Sequence, residues 1–365
     1  RPSFVLGGRA MEICYDQSQL ERFVAEAFVV SQGQPVLIDR FLEDATEVDV
    51  DAICDGTRVV IAGIMEHIEE AGVHSGDSAC SIPPYSLPGS VVQEIEEATR
   101  SLAMQLGVVG LMNVQFAMKD GQIYVLEVNP RASRTVPFIA KAVGVPLVSV
   151  AVQVMAGKTL AEVGMTTEPA VPGVFVKAPV FVFERFPGVD PVLSPEMKST
   201  GEVMGGAATF GAAYAKAQIA AGQRLPDNGI AFISVNDEDK ANVLPIASDL
   251  AGLGFSLLAT HGTAAYLRAH GLDVELVYKV NEGRPHIGDR LLNRDIDLVI
   301  NTPLGRESFF DDRTLRRIAT VLGLPCVTTL TGAAAAVSAI RAVREEALDV
   351  RPLQDYHSRI AQTQQ

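Results

Sequence analysis

Residues 111–137, L-M-N-V-Q-F-A-M-K-D-G-Q-I-Y-V-L-E-V-N-P-R-A-S-R-T-V-P, decide how the first part of the chain folds. Two runs with alternating apolar residues, 113–118 and 123–129, flank Lys119-Asp120-Gly121 and predict a β-hairpin. Alternation leaves a few polar side chains on the faces opposite their apolar neighbours. These are Gln115, Glu127 and Asn129.

The turn decides whether these polar side chains meet. A two-residue Asp-Gly turn pairs Gln115 with Leu126, which puts Gln115 and Glu127 on opposite faces. A three-residue loop with Gly121 in the left-handed conformation pairs Gln115 with Val125 instead. That second register puts Gln115 and Glu127 on one side.

The second register also adds Asn129 to that side and builds a cation site from carboxylate and amide oxygens. Mg²⁺ prefers such oxygens and shares them with substrate phosphates. Arg131 and Arg134 follow directly, with guanidinium groups suited to phosphates. The alternative is a hairpin with one solvated face, although solvated strands more often carry Lys, Thr and Ser.

Composition bounds the function. At 365 residues with 48% hydrophobic content, the chain can form two packed domains. A net charge of −14 argues against nucleic acid as a partner. No apolar run approaches the roughly 20 residues of a membrane span, so we expect no membrane partner. The four cysteines are widely spaced, which favours a reducing compartment, the cytoplasm, over a zinc site or disulfides.

Before the hairpin, helical spacing predicts helices over 17–30 and 91–106, and apolar runs predict strands over 4–6, 35–41 and 57–65. Residues 43–51 predict a strand with an acidic face of Glu47, Asp49 and Asp51, either solvated or helping to bind ions. Gly7-Gly8 fits a cover over a phosphate or an ordinary tight turn.

Residues 66–78 are dense in His and acidic residues, but their spacing fits no zinc signature. Within them, residues 72–76 predict a loop that presents amides, an imidazole and a hydroxyl to a ligand. After the hairpin, residues 136–156 predict a helical region broken at Gly144 and Pro146. Strands near Val174 and Val180, a helix over 210–221 and a linker over 223–229 follow.

From Gly229 onward, strands and helices alternate strictly. We expect strands over 230–235, 256–260, 274–277, 296–301 and 326–328, and helices over 237–253, 263–270, 288–292 and 313–322. This rhythm predicts a parallel sheet with helices on both faces and a ligand at the carboxyl ends of its strands. Thr260 and Thr263 lie at such an end, where they fit either phosphate binding or helix capping alone.

Five motifs together resemble the large subunit of carbamoyl-phosphate synthase. They are R-P-S-F-V-L-G-G-R-A-M-E-I (1–13), E-V-D-V-D-A-I-C-D-G (47–56), M-E-H-I-E-E-A-G-V-H-S-G-D-S (65–78), G-L-M-N-V-Q-F-A (110–117) and E-V-N-P-R-A-S-R-T-V-P-F (127–138). The resemblance covers nearly the whole chain and is most specific through about Lys158. It implies a fold of α/β and α+β class, a partial ATP-grasp domain followed by a Rossmann-like parallel α/β regulatory domain.

The resemblance also implies domain bounds. Residues 1–165 correspond to the later part of the second ATP-grasp unit, 166–222 to its connecting segment, and 223–365 to a methylglyoxal-synthase-like allosteric domain. Because the chain opens in mid-motif, we expect it to be a piece of something larger. We expect it to be inactive alone, because an ATP-grasp site is made between two subdomains and the chain supplies only one complete subdomain. The family's reaction uses bicarbonate, a glutamine-derived nitrogen and two ATP, for pyrimidine and arginine biosynthesis.

Site residues are implied by matching positions. The ATP contacts are Arg1, Arg40, Leu42, Glu47, Gly72, Val73, His74, Ser75, Gln115 and Glu127, and the metal ligands are Gln115, Glu127 and Asn129. Arg131 and Arg134 match the catalytic arginines. The allosteric positions are Ser234, Lys240, Thr260, Thr263, Lys279 and Asn301 for a nucleotide, and Glu69, Asp77 and Thr328 for ornithine. Three positions depart from the family: Arg40 replaces a histidine, Ala178 a glutamate and Pro303 a threonine.

The implied cofactors are ATP and Mg²⁺ or Mn²⁺, with K⁺ as a further ion. The implied partners are the remainder of the large subunit, the glutamine amidotransferase small subunit and a nucleotide monophosphate effector, UMP or IMP. The alternative hypothesis is a stand-alone regulatory module that binds nucleotide monophosphates, with the ATP-grasp part a structural remainder. A third is methylglyoxal synthase activity in the region after Gly229.

Overall fold

The computed structural model describes residues 1–2, 7–14, 16–43, 45–185, 193–302 and 306–363 of the chain. The side chains at 70, 184, 306–312 and 359–363 are not described. The strand predicted over 4–6 and the departure at Pro303 therefore lie outside the described residues.

The first sheet has seven strands in the order β5-β4-β1-β2-β3-β6-β7, and all neighbouring pairs are antiparallel. Its strands are β1 Thr46–Asp55, β2 Val59–Glu70, β3 Cys80–Ile82, β4 Val109–Lys119, β5 Gln122–Asn129, β6 Val174–Val180 and β7 Gly201–Ala207. The prediction of strand over 35–41 is wrong. In that segment Val36 forms an isolated bridge to Pro2, and Leu37 and Ile38 are exposed rather than paired into a sheet.

The first part of the chain forms the helices α1 Gln17–Val30, α2 Gly89–Gln105, α3 Val136–Val143, α4 Leu147–Met155 and α5 Phe210–Ala220. Helices α2 to α5 pack against this sheet and cover both of its faces. Because side chains alternate along β1, Val48 and Val50 pack into the core beneath α2, while Ile53 packs with α3 and α4 on the other face. The predicted break at 144–146 is confirmed, since Gly144 ends α3 in the left-handed conformation.

The second sheet has five parallel strands in the order β10-β9-β8-β11-β12. They are β8 Ile230–Val235, β9 Ser256–Ala259, β10 Val274–Leu276, β11 Leu298–Thr302 and β12 Cys326–Val327. The helices are α6 Lys240–Gly252, α7 His261–Ala269, α8 Ile287–Leu292, α9 Arg306–Leu322, α10 Leu330–Glu345 and α11 Leu353–Thr363. Helices α6, α7 and α10 cover one face, and α8 and α9 the other. The predicted parallel sheet with helices on both faces is confirmed.

Helix α10 joins the two sheets, and the sequence reasoning missed it. Its Ser338 packs so closely on α5 that a Cβ at Gly211 would lie 2.4 Å from the Ser338 carbonyl oxygen. At its first turn, the Thr331 hydroxyl donates to the Ile68 carbonyl of β2. The last helix also contacts the first sheet, because the Tyr356 hydroxyl of α11 donates to the Gly206 carbonyl of β7 at 2.6 Å.

Among the described residues, no single helix is long and apolar enough to cross a membrane. Helices α3 and α4, bent by 113° relative to each other, pass that test of length and composition only as a pair.

Candidate functional site

The hairpin of β4 and β5 closes through a two-residue turn. Asp120 and Gly121 have φ of 53° and 75°, and Lys119 pairs with Gln122. The predicted three-residue loop is therefore wrong, because an Asp-Gly pair readily takes the positive φ angles of a tight hairpin turn. Without a further irregularity, this turn would put Gln115 and Glu127 on opposite faces.

A β-bulge restores the pairing that the turn would lose. Phe116 pairs with Val125 but Gln115 pairs with Glu127, so Leu126 is the extra residue. Asn113 then pairs with Asn129. Opposite residues of an antiparallel ladder share a face, so the amide and carboxylate oxygens of the predicted metal set lie on one side after all.

The loop over 72–76 lies beside this oxygen-bearing face. Gln115 Nε2 donates to Ser75 Oγ at 3.4 Å, and the Gly76 amide donates to His74 Nδ1 at 2.9 Å. Burial, and then the Arg134 charge, lower the pKa of His74. The loop thus presents a hydroxyl and a neutral imidazole to the same space as the hairpin.

The two predicted catalytic arginines follow the end of β5. Arg131 Nη2 donates to Asn129 Oδ1 at 3.2 Å, and Arg134 Nη1 contacts Met197 Sδ. The backbone around Arg134 is fixed because Ser133 and Thr135 both donate to the buried Asp51 carboxylate. Burial raises the pKa of Asp51 to about 6.

On the acidic face of β1, Asp49 and Asp51 are buried rather than solvated. Asp49 and Asp51 are 1% and 0% exposed, because the carboxylates point into the protein rather than to water. His67 Nε2 lies 2.9 Å from Asp49 Oδ2, and His67 Nδ1 lies 3.5 Å from Glu47 Oε2. The Gly72 amide donates to Glu47 Oε1 at 3.0 Å, which ties this row of acids to the loop.

The predicted ATP contacts that precede the loop lie on two segments, at Arg1 and at residues 40–42. Arg1 donates its terminal amine to the Leu37 carbonyl at 3.0 Å and its Nη1 to the Leu126 carbonyl at 3.3 Å. The segment that carries Arg40 and Leu42 packs on the loop, since a Cβ at Gly72 would lie 2.9 Å from Phe41 Cε2. Arg40 itself is exposed, and Val73 lies in the loop.

Lys177 is a site residue that the sequence reasoning missed. It lies on β6 and is 1% exposed, and its Nζ donates to the Ser75 carbonyl at 3.1 Å. Glu202 Oε2 is 3.9 Å from the same Nζ. A buried lysine is costly unless it is paired, so a lone Lys in the apolar run V-F-V-K-A-P-V was the available signal.

The predicted ornithine positions are largely occupied by protein contacts. Asp77 is fully buried and accepts from the Lys198 and Ser199 amides at 2.7 and 2.8 Å. Glu69 accepts from the Ala79 amide, and burial raises its pKa to about 7. Ala178 is 1% exposed on β6, and Thr328 directly follows β12.

In the second sheet, the predicted effector residues meet at the carboxyl ends of the strands. Ser234 Oγ lies 3.1 Å from Thr260 Oγ1, Asn301 Nδ2 donates to the Ser234 carbonyl at 3.3 Å, and the Val235 amide donates to Thr263 Oγ1 at 3.3 Å. Thr260 precedes α7 without a side-chain capping bond, so capping does not account for its hydroxyl. Two lysines border this end: Lys240 pairs with Asp237 at 2.6 Å, and Lys279 is exposed.

Two family profiles match the chain. The carbamoyl-phosphate synthase L chain ATP binding domain matches residues 1–163, and the MGS-like domain matches 242–328. These matches agree with the predicted order of an ATP-grasp region followed by a methylglyoxal-synthase-like region.

Curated relatives match over almost the whole chain. The carbamoyl phosphate synthase large chain of Rhodopirellula baltica is 57% identical over 358 residues, covering 97% of this chain and 33% of that one. The large chain of Archaeoglobus fulgidus is 54% identical over 358 residues, covering 98% and 33%. A solved structure, the biotin carboxylase domain of a single-chain bacterial carboxylase, is 20% identical with a TM-score of 0.41, covering 56% of this chain and 62% of that one. The chain spans about a third of the length of its curated relatives and belongs to the family of carbamoyl phosphate synthase large chains.

Proposed function

We propose that this chain supplies the carbamate-phosphorylating ATP site of a glutamine-dependent carbamoyl-phosphate synthase. The observation that carries the proposal is the bulged register, which puts Gln115 and Glu127 opposite each other with Asn129 on the same face. Arg131 and Arg134 follow at the end of the same strand. One carboxylate and two amide oxygens fit a hard divalent cation that completes its coordination with phosphate oxygens.

In the proposed reaction, a carbamate oxygen attacks the γ-phosphorus of ATP and the bond to the bridging oxygen breaks, which releases ADP. Gln115, Glu127 and Asn129 would hold Mg²⁺ or Mn²⁺, whose charge when bound offsets that of the phosphates. Arg131 and Arg134 offset the charge that spreads over the transferred group. The buried Asp51 holds the 133–135 backbone and so fixes the place of Arg134.

The nucleotide itself is proposed to lie against the 72–75 loop. Its contacts would come from Gly72, Val73, His74 and Ser75, from Arg1, Arg40 and Leu42, and from Glu47. A carboxylate repels phosphates, so Glu47 would face hydroxyl or amino donors of the nucleoside part. Support comes from the contacts that already join Arg1, the segment around Phe41, Gly72 and Glu47.

The experiment uses a full-length large chain that contains this segment, supplied with carbamoyl phosphate and MgADP. This reverse half-reaction makes ATP and reports on the carbamate-phosphorylating site alone. We expect ATP formation that depends on both substrates. No ATP formation by a folded full-length chain would contradict the proposal.

For the second sheet we propose regulation by a nucleoside monophosphate, UMP or IMP. Hydroxyl and amide donors from Ser234, Thr260, Thr263 and Asn301 converge where a phosphate would meet the first turn of α7, and Lys240 and Lys279 supply positive charge. Calorimetric titration with UMP and IMP tests this. Binding should weaken in Thr263→Ala and Lys279→Ala and persist in the control Lys158→Ala, and saturable binding that ignores the first two would exclude this pocket.

The structure favours regulation here over methylglyoxal synthesis, which needs a carboxylate base beside the phosphate. Asp237 is ion-paired with Lys240, and Asp297 accepts from the Ile230 amide at the amino ends of the strands, opposite to the predicted effector site. A stand-alone regulatory module is disfavoured because α10 and α11 both contact the first sheet.

The proposed assembly follows from the family. The partners are the remainder of the large chain and the amidotransferase small subunit, K⁺ is a further ion, and the pathways are pyrimidine and arginine biosynthesis. Cys14, Cys54 and Cys80 form no disulfide in the described part of the chain, which supports the cytoplasm as the compartment.

A further inference from the structure

His67 lies in the interior of the first sheet between two carboxylates. It is 3% exposed on β2, which pairs with β1, the strand that carries both acids. Its Nε2 is 2.9 Å from Asp49 Oδ2 and its Nδ1 is 3.5 Å from Glu47 Oε2. Desolvation lowers the pKa of His67, but the neighbouring Cys80 and Asp49 outweigh it and raise the pKa well above its usual value.

The two carboxylates differ in what else holds them. Asp49 is buried deeply and also lies 3.5 Å from Asn113 Nδ2. Glu47 keeps 14% of its side chain exposed, at the edge of the space beside the 72–75 loop. Asp49 therefore acts as an anchor for the ring, whereas Glu47 reaches the surface on which the nucleotide is proposed to bind.

Glu47 is held at one carboxylate oxygen and faces His67 with the other. Oε1 accepts from the Gly72 amide at 3.0 Å, and Oε2 faces His67 Nδ1. Among the described residues, Nδ1 has no hydrogen-bond partner, and Glu47 Oε2 lies 3.5 Å from it without a formed hydrogen bond. A small approach of Glu47, as on ligand binding, would shorten the 3.5 Å contact to a charge-assisted hydrogen bond.

We propose that His67 is a positioning residue that holds Glu47 in the orientation required to accept hydrogen bonds from the nucleoside part of ATP. The inference rests on the proposed function and deepens it. Asp49 fixes the imidazole through Nε2. In the nucleotide complex, the shortened contact from Nδ1 fixes Glu47, so its position at the nucleotide site depends on the buried Asp49–His67 pair. His67 itself touches no reacting atom.

The test measures the affinity of the full-length large chain for ATP by calorimetry and the kcat and KM for MgADP in the reverse half-reaction. His67→Gln keeps one amide donor and His67→Leu keeps none. We expect Kd and KM to rise by roughly tenfold in His67→Gln and further in His67→Leu, since a lost charge-assisted hydrogen bond corresponds to a factor of about ten or more. The kcat at saturating nucleotide should stay within about twofold of wild type, because no transition-state contact is removed.

A double-mutant cycle separates positioning from general damage to the core. If His67 acts through Glu47, then adding His67→Gln to Glu47→Gln should raise KM little beyond the single Glu47→Gln change. Additive effects, unchanged KM in both His67 variants, or a fall in kcat with KM unchanged would each overturn the inference. His270→Gln, an exposed histidine at the end of α7, is the matched control and should leave all values unchanged.

The results also distinguish a failure of this inference from a failure of the proposed function. A wild-type chain that binds no ATP would contradict the proposed function, whereas wild-type binding with an indifferent His67 contradicts only the positioning role. Removing the imidazole between the buried Asp49 carboxylate and the Glu47 carboxylate can unfold His67→Leu. In that case His67→Gln and the cycle with Glu47→Gln decide the question.

Discussion

Gln115 lies directly opposite Glu127 in the β4–β5 ladder, although the two-residue turn between the strands would by itself pair Gln115 with Leu126. The extra residue Leu126 shifts the ladder by one position, and Glu127 arrives on the face that carries Gln115. The site therefore depends on two backbone features together, a tight turn and a bulge.

The first prediction concerns the turn. Gly121 has φ of 75° with open space around its missing Cβ, so Gly121→Ala adds strain and no clash. We expect a loss of about 1 kcal/mol in the free energy of unfolding, since left-handed backbone costs a non-glycine residue roughly 1–2 kcal/mol. Urea denaturation measures this change in the free energy of unfolding. Gly89→Ala is the control, in open space at the start of α2 and without positive φ, and should not destabilise. Equal behaviour of the two variants would contradict the strain argument.

The second prediction concerns pH. Burial raises the pKa of Asp51 to about 6, above its unfolded value near 3.9, so the native state retains this proton longer than the unfolded state does. The contribution of Asp51 to stability is thus fully present below about pH 4 and is lost as the pH rises through about 6. Relative to wild type, Asp51→Asn should gain up to about 3 kcal/mol between pH 4 and pH 7.

Denaturation curves for both chains at several pH values check this. The exposed Asp273→Asn serves as control and should show no such trend. A difference between wild type and Asp51→Asn that is flat from pH 4 to pH 7 would show that Asp51 titrates normally.

The third prediction concerns Lys177, whose Nζ holds the Ser75 carbonyl at 3.1 Å. Lys177→Met keeps the length of the side chain but removes the donor, so the 72–76 loop loses an anchor. We expect ATP affinity to fall by about tenfold, the effect of roughly 1.4 kcal/mol. Calorimetry on the full-length chain measures the affinity, with the exposed Lys141→Met as control. Wild-type affinity in Lys177→Met would remove this residue from the site.

Much of this arrangement could be predicted from sequence, and the failures have specific causes. Periodicity identified α1 as Gln17–Val30, and strand–helix alternation identified the parallel sheet, because both patterns are local. The bulge at Leu126 has no local signal, since it depends on how β5 pairs with β4. The role of α10 as a link between the sheets also has no local signal. It depends on the close approach of Gly211 in α5 to the alanine-rich face of α10.

The acidic face of β1 shows that burial, like strand register, depends on residues that are distant in sequence. Alternation correctly put Glu47, Asp49 and Asp51 on one face of β1, but whether a face meets water is decided by its neighbours. Here those neighbours are His67 from β2 and the 133–135 segment, which lie far from β1 in sequence. Charge alone favours a solvated face, and tertiary contacts override that preference.

The fourth prediction concerns ornithine. Its ammonium groups need carboxylate partners, and this chain has Ala178 at the position where the carbamoyl-phosphate synthase family carries a glutamate. The loss of one charge-assisted hydrogen bond corresponds to roughly 1.5–3 kcal/mol. Asp77 offers little in compensation, because its carboxylate already accepts two backbone amides. We therefore expect weak or no activation by ornithine in the complete enzyme, and activation at low micromolar ornithine would contradict this.

The most direct test of the account is Glu127→Gln in the full-length large chain, assayed for ATP formation from carbamoyl phosphate and MgADP. Because Glu127 is the one carboxylate in the predicted metal set, its neutral replacement weakens the binding of the divalent cation that joins enzyme and phosphates. The matched control is Glu94→Gln on the exposed side of α2. We predict that Glu127→Gln abolishes ATP formation while Glu94→Gln retains it. Wild-type rates in Glu127→Gln would contradict the assignment of this hairpin as the phosphoryl-transfer site.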